Sequence, residues 1–297
     1  FLIICVGALV VHAGILTRDH ARAFGTFVLH VAMPCLIFRS IASRPVGEVL
    51  NPSYLVAAIA GGFFSAAIVY WAARVGLGRS HLAALVRAMG ACFANSGYVG
   101  YPVAALLLGP AAGVALALSL TVENLIILPV LLALADLSSA KGDTFGQTLR
   151  LSLLGLVRNP LMLAMAFGLV VSITQIQVPA AVMKSVDLFA TASTALALTA
   201  IGGSLAGPRP SGMAADVGLM VAGKLLLHPA LVVALLWLLP PLPDDLRKAL
   251  IIFSAAPMMA IFPLFAARYG DGEAGAAAAF VAIALSFLTM SAIIALI

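Results

Sequence analysis

Residues 95–102 read NSGYVGYP, inside an apolar run that starts near His81, ends near Gly109 and is long enough to cross a bilayer. An asparagine, a serine, two glycines and a proline therefore fall where the middle of a membrane should be. Glycine exposes backbone, and Pro102 removes a donor and crowds the preceding turn, so no regular helix is expected to run through. Hydrocarbon tolerates open backbone only where it is buried in protein or lines a wet cavity. The break points to a small-molecule or ion site. A kinked helix satisfied by its neighbours is the plainer alternative.

The rest of the chain places that break in a membrane. Of 297 residues, 63% are hydrophobic and 9% charged, against about 25% charged in soluble domains. Apolar runs of about 20 residues recur along the chain, without the short alternating strands of a transmembrane barrel. The predicted class is an all-α polytopic membrane protein. Residues 1–16 read as the first apolar run, with no cleaved signal evident. The net charge of +5 is expected in cytoplasmic loops, not on a nucleic-acid surface. Cys5, Cys35 and Cys92 lie inside apolar runs and read as small core residues without disulfides.

Ten runs follow one another: 1–17, 24–43, 54–75, 81–108, 111–137, 149–173, 182–205, 213–239, 246–267 and 275–297. A basic turn with Arg18 and Arg22 is expected after the first, and a polar connector, 138–148, carries Lys141 and Asp143. With the N-terminus outside, eleven Lys and Arg residues fall on the inner side, Arg74, Arg79, Arg87, Arg150 and Arg158 among them, and five on the outer. The positive-inside rule then puts both termini outside and the connector in the cytoplasm.

Cut at the connector, residues 1–137 and 149–297 hold five runs each, so the second half enters the membrane upside down. That is the arrangement of inverted-repeat transporters, whose paired broken helices meet near the midplane. The fourth run should then match the ninth. CFANSGYVGYPVAALLLG, residues 92–109, faces FSAAPMMAIFPLFAARYG, residues 253–270. Both are interrupted in the same place, Pro257 opening the second break where Ala94 opens the first.

These segments carry a resemblance. MPCLIF (33–38), NSGYVGYP (95–102), LALTAIGGSLA (196–206), KLLLHP (224–229) and APMMAIFPLFAARYG (256–270) together resemble the auxin efflux carrier family of bacterial organic-anion transporters and plant auxin carriers. The resemblance implies two inverted five-helix repeats, with the fourth and ninth helices crossing at their broken middles and substrate beside the crossing. It implies a scaffold of the first, second, sixth and seventh helices, through which a homodimer would form. Helices three to five and eight to ten would form a mobile transport domain. Plant auxin carriers put a proline at both breaks, where this chain has Ala94 at the first.

A carboxylate in the membrane needs donors. Half-helix N-termini present N–H groups with partial positive charge, and Asn95 and Ser96 add side-chain donors. Asn95 leads the substrate set, with Ser96, Gly97, Tyr98, Pro102, Pro257 and Met258 around it; Tyr98 equally well fills a gap between helices. Ionisable residues within spans are functional candidates. Glu123, followed by Asn124, reads either as a proton- or cation-coupling group or as the partner of a cation. Lys224 either snorkels to the interface or balances Glu123, and His228 is either a packed histidine or a proton relay.

No phosphate loop, no Cys/His set at metal-ligand spacing and no nucleophile with a base are found, so neither a cofactor nor an enzyme is expected. The function predicted is a secondary carrier of small organic anions, such as malate, malonate or an aromatic carboxylate. It would work by elevator-like alternating access in a bacterial inner membrane, with that anion and the lipid bilayer as partners. An ion-coupled symporter like the bile-acid transporters, an anion channel and a ligand-binding receptor remain as alternatives.

Overall fold

Helices are the regular elements of the computed structural model, which describes residues 2–43, 51–139, 159–204 and 213–297. Most of the connector, with Lys141 and Asp143, lies outside the described residues, as do Arg150 and Arg158 of the sixth run and the end of the 196–206 motif. In chain order the helices are α1 (Leu2–His12), α2 (Arg18–Phe27), α3 (Met33–Ala42), α4 (Pro52–Trp71) and α5 (His81–Cys92). Then come α6 (Tyr101–Leu108), α7 (Ala111–Val122), α8 (Leu128–Ser138), α9 (Pro160–Thr174) and α10 (Ala180–Ser204). The last are α11 (Ala214–Ala222), α12 (His228–Leu238), α13 (Asp244–Ala255), α14 (Phe262–Arg268) and α15 (Gly272–Leu296).

Several of these are pieces of one longer helix joined by a wide π turn. Val28–Ala32 joins α2 to α3, Glu123–Ile127 joins α7 to α8, and Gly223–Leu227 joins α11 to α12. In each case a proline stands second in the helix that follows: Pro34, Pro129 or Pro229. Proline lacks an N–H and clashes with the carbonyl four residues back. Widening the preceding turn relieves both problems without ending the helix.

Among the described residues, six helices are long and apolar enough to cross a membrane: Asp19–Ala42, Pro52–Gly76, Ala111–Ser138, Ala180–Ala200, Ala214–Leu238 and Gly272–Leu296. His81–Cys92, Ser96–Leu108 and Pro160–Thr174 are shorter apolar helices. The protein is thus an all-helical integral membrane protein. One expectation is corrected. Arg18 and Arg22 do not lie in a turn but in the first turns of α2. Thr17 caps that helix by accepting from the His20 N–H at 3.2 Å, while His20 Nδ1 accepts from the Thr17 N–H at 3.3 Å. This reciprocal cap starts the helix several residues before its apolar part.

Two compact units emerge. The first comprises Phe1–Asn51, Gly97–Leu118 and Val157–Gly207. In it α10 packs along α1, α2 and α3, and α9 packs on α3. Gly7 is what lets α1 approach so closely, since a Cβ there would sit 2.4 Å from the Thr199 carbonyl oxygen. Arg39 Nη1 lies 3.5 Å from Asp187 Oδ1, which ties α3 to α10.

The second unit comprises Pro52–Ser96, Ser119–Leu156 and Pro208–Ile297. There α4 packs on α5 and α12, and α15 packs on α11 and α14. One end of the unit is closed by ion pairs that the sequence did not announce. Asp216, almost fully buried, accepts from Arg79 Nε at 3.0 Å and from Arg87 Nε at 2.9 Å, and Arg87 Nη1 donates to Asp271 at 2.5 Å. Beside it, Asp136 accepts from Arg268 Nη2 at 2.9 Å and from the Tyr269 hydroxyl at 2.7 Å. Buried charges need such partners, because an ion taken out of water without one is costly. At the start of α13, Arg247 and Lys248 pair with exposed Asp244 and hold its carboxyl below the usual carboxylate range.

Candidate functional site

The break after α5 begins at Phe93, whose backbone turns extended (φ −74°, ψ 113°), and the break after α13 begins at Ala256 (φ −59°, ψ 147°). Each exposes main-chain groups that a helix would have satisfied, and the two breaks satisfy each other. The Asn95 N–H donates to the Pro257 carbonyl at 2.8 Å, and the Met259 N–H donates to the Phe93 carbonyl at 3.1 Å. Ala94 and Met258 thereby face each other as a single antiparallel bridge in an otherwise helical unit. Phe93, Ala94, Asn95, Ser96, Ala256, Pro257 and Met258 are all buried. Nearby, the Ser65 hydroxyl donates to the Ala91 carbonyl at 3.3 Å, covering one of the acceptors left open at the end of α5.

Pro102 does not make the first break. It stands second in α6, after the π turn Ser96–Gly100, where a missing N–H costs little. Pro263 holds the same place in α14. The helix stops at Phe93 instead.

The bridge also explains why alanine suffices at position 94. Its hydrogen bonds come from residues 93, 95, 257 and 259, so the Ala94 N–H is not spent on it. Phe93 already has the extended backbone that a following proline demands. Ala94→Pro is accordingly expected to shift stability by less than about 1 kcal/mol and to leave transport intact. Thermal unfolding in detergent and a flux assay check both parts.

Beside the bridge lies a small cavity of about 20 Å³, lined among others by Ala94, Ser119, Glu123, His228 and Ser254. That is room for a single water. Glu123 opens the π turn after α7 and is 8% exposed. The Ser96 hydroxyl donates to its Oε1, and its Oε2 is buried with no hydrogen-bond partner among the described residues. Lys224, in the π turn after α11, is 0% exposed. Its Nζ donates to the Ser254 carbonyl at 2.6 Å and to His228 Nδ1 at 2.9 Å. As an ammonium Lys224 makes Nδ1 the acceptor, which leaves the ring proton on Nε2. Snorkelling is ruled out for Lys224, since no part of it reaches the surface. Both of its partners line the cavity with Glu123, and the two charges interact electrostatically.

The second unit thus brings together Asn95, Ser96, Pro257, Met258, Glu123, Lys224 and His228. Asn124 spends an amide N–H on the Leu120 carbonyl at 2.8 Å, one turn back. Gly97, Tyr98 and Pro102 group with the first unit. There the Tyr98 hydroxyl donates to the Gly25 carbonyl at 2.7 Å, and Gly97 packs against Met33. Three participants were not singled out from sequence. Ser254 acts through its main chain, which has no sequence signature. Ser119 lies four residues before Glu123, one turn away, and its Oγ is 2.7 Å from the Tyr54 hydroxyl. Tyr54 itself is fully buried at the foot of α4.

Comparison with known proteins agrees with a membrane protein. A family model described as "Membrane transport protein" matches residues 1–294. The chain belongs to this family, that of the auxin efflux carriers. A Rhizobium meliloti (strain 1021) protein named "Putative malonate transporter" is 28% identical over 214 residues, which is 69% of this chain and 64% of that protein. The match thus spans just under two thirds of the relative's length.

Proposed function

We propose that this protein is a secondary carrier that moves a small organic anion, a dicarboxylate such as malonate first among them, across the cytoplasmic membrane. One observation carries the reading. Two interrupted helices meet by their backbones, leaving Asn95 and Ser96 buried next to a carboxylate and an ammonium that are not in direct contact. Neutral donors suit a carrier, because they hold an anion without trapping it. The malonate-named relative supports the substrate class.

An elevator-like mechanism is part of the proposal. The bridge, the start of the first break at residues 93–96, the second break and the charged pair belong to one compact unit, which supports treating them as cargo of a moving body. The inverted pairing of the two halves gains support from the restarts of α6 and α14, each an aromatic residue followed by proline: Tyr101-Pro102 and Phe262-Pro263. With both termini outside, the membrane potential contributes about 2.3 kcal/mol per charge per 100 mV. It favours export of an anion from a cell negative inside.

The test is flux of labelled malonate, malate and an aromatic carboxylate into proteoliposomes. A carrier gives saturable flux stimulated by unlabelled anion on the opposite side. Flux that grows without saturation would mean a channel. Binding with no flux at all would mean a receptor.

A further inference from the structure

The unpartnered Oε2 of Glu123 and the cavity that this residue lines are not explained by anion binding alone. The carboxylate is more than nine-tenths buried, and it holds one donor, the Ser96 hydroxyl, which is also a candidate donor for the substrate. A hydroxyl carries one proton and donates to one acceptor at a time. If Ser96 turns to the substrate, Oε1 loses the carboxylate's donor and both oxygens stand without one at the moment a second negative charge arrives nearby. A buried carboxylate so placed is discharged most simply by taking up a proton.

We propose that the Ser96 hydroxyl switches from Glu123 to the arriving substrate carboxylate, and that Glu123 then binds one proton, so that anion and proton are carried together. This rests on the carrier reading above. The proton comes from bulk water, a hydronium ion giving up H⁺ to Oε2 and leaving as water. The cavity offers that water a place. The groups facing Glu123 are consistent with a net gain of one charge. Tyr54 on α4 and Cys92 on α5 carry a phenol and a thiol, groups whose ordinary chemistry is uncharged near pH 7. His228 and, from α13, Ser254 line the cavity with Glu123, and Lys224 lies behind them, bonded to both. Before the substrate arrives, the ammonium of Lys224 balances the carboxylate. After the switch, protonated Glu123 leaves the ammonium to balance the substrate instead. His228 serves Lys224 as a neutral acceptor throughout. In this scheme Glu123 is a coupling residue that never touches the anion, and Lys224 supplies a fixed positive charge.

Malonate binding to purified protein, followed by calorimetry near pH 7.5 in buffers of different ionisation enthalpy, reads the protons exchanged. Both malonate carboxylates are ionised there, so any proton taken up belongs to the protein. Wild type is expected to take up about one proton per malonate bound. Glu123→Gln is expected to bind malonate and take up none. Ser96→Ala keeps Glu123 but removes its donor in advance, so it too is expected to bind, more weakly, without proton uptake. Malonate binding by wild type with no proton uptake, or equal uptake in wild type and Glu123→Gln, would overturn the inference and leave the carrier standing. Failure of wild type to bind malonate or any other carboxylate would overturn both.

Discussion

Asn95→Ala is expected to cut malonate flux about 100-fold in a protein that still folds. A hydrogen bond to a charged group is worth up to about 3 kcal/mol, close to a factor of 100. Asn95 is 5% exposed at the crossing, so water does not readily replace its amide. The bridge itself is kept, because Asn95 contributes its main-chain N–H there. Asn95→Asp is the sharper variant, since it keeps the volume and places a negative charge where the substrate's would go. Flux in proteoliposomes and unfolding temperature in detergent, measured together, separate lost transport from lost folding. Wild-type flux in a well-folded Asn95→Ala protein would take Asn95 out of the site.

Lys224→Met is expected to have the largest effect on stability. The substitution fills similar space but removes two donors, stranding the Ser254 carbonyl and His228 Nδ1, and leaves Glu123 without a nearby cation. Removing one partner from a buried charged pair costs about 3–5 kcal/mol, a large part of the stability of most domains. Adding Glu123→Gln to Lys224→Met should restore part of the loss, because the stranded charge is then gone. A double-mutant cycle on unfolding midpoints measures that recovery. No recovery would mean that Lys224 serves only its two hydrogen-bond acceptors.

The helices that were easiest to read were the ones bounded by charge or turn residues. The third run was expected at 54–75 and the structure gives Pro52–Gly76; the fifth was expected at 111–137 and becomes Ala111–Ser138. Asn95, Ser96 and Pro257 stood out because polar, glycine and proline residues are conspicuous in an apolar run. What escaped was whatever depends on a partner remote in sequence. The burial of Lys224 depends on α4, α5, α13 and α15, which pack on its π turn from elsewhere in the chain, so snorkelling and burial looked alike. Arg87 and Asp216 find each other across 129 residues. Pro34, Pro129 and Pro229 each stand inside an apolar run, but a kink and a π turn answer the same steric problem and sequence does not choose between them.

The pairing of Glu123 with Lys224 also bears on how the protein is made. Glu123 precedes Lys224 by about 100 residues, which at about 5–20 residues per second of synthesis is several seconds or more. In that interval α7 and α8 enter the bilayer carrying an acid with no basic partner. An acidic side chain at a helix centre weighs about 2.5–3.5 kcal/mol against insertion. The run from 111 to 138 has apolar length in reserve to bear it. The later arrival of α11 and α12 then does more than extend the chain. It neutralises a charge already in place, so the end of membrane insertion and the completion of this unit become one event.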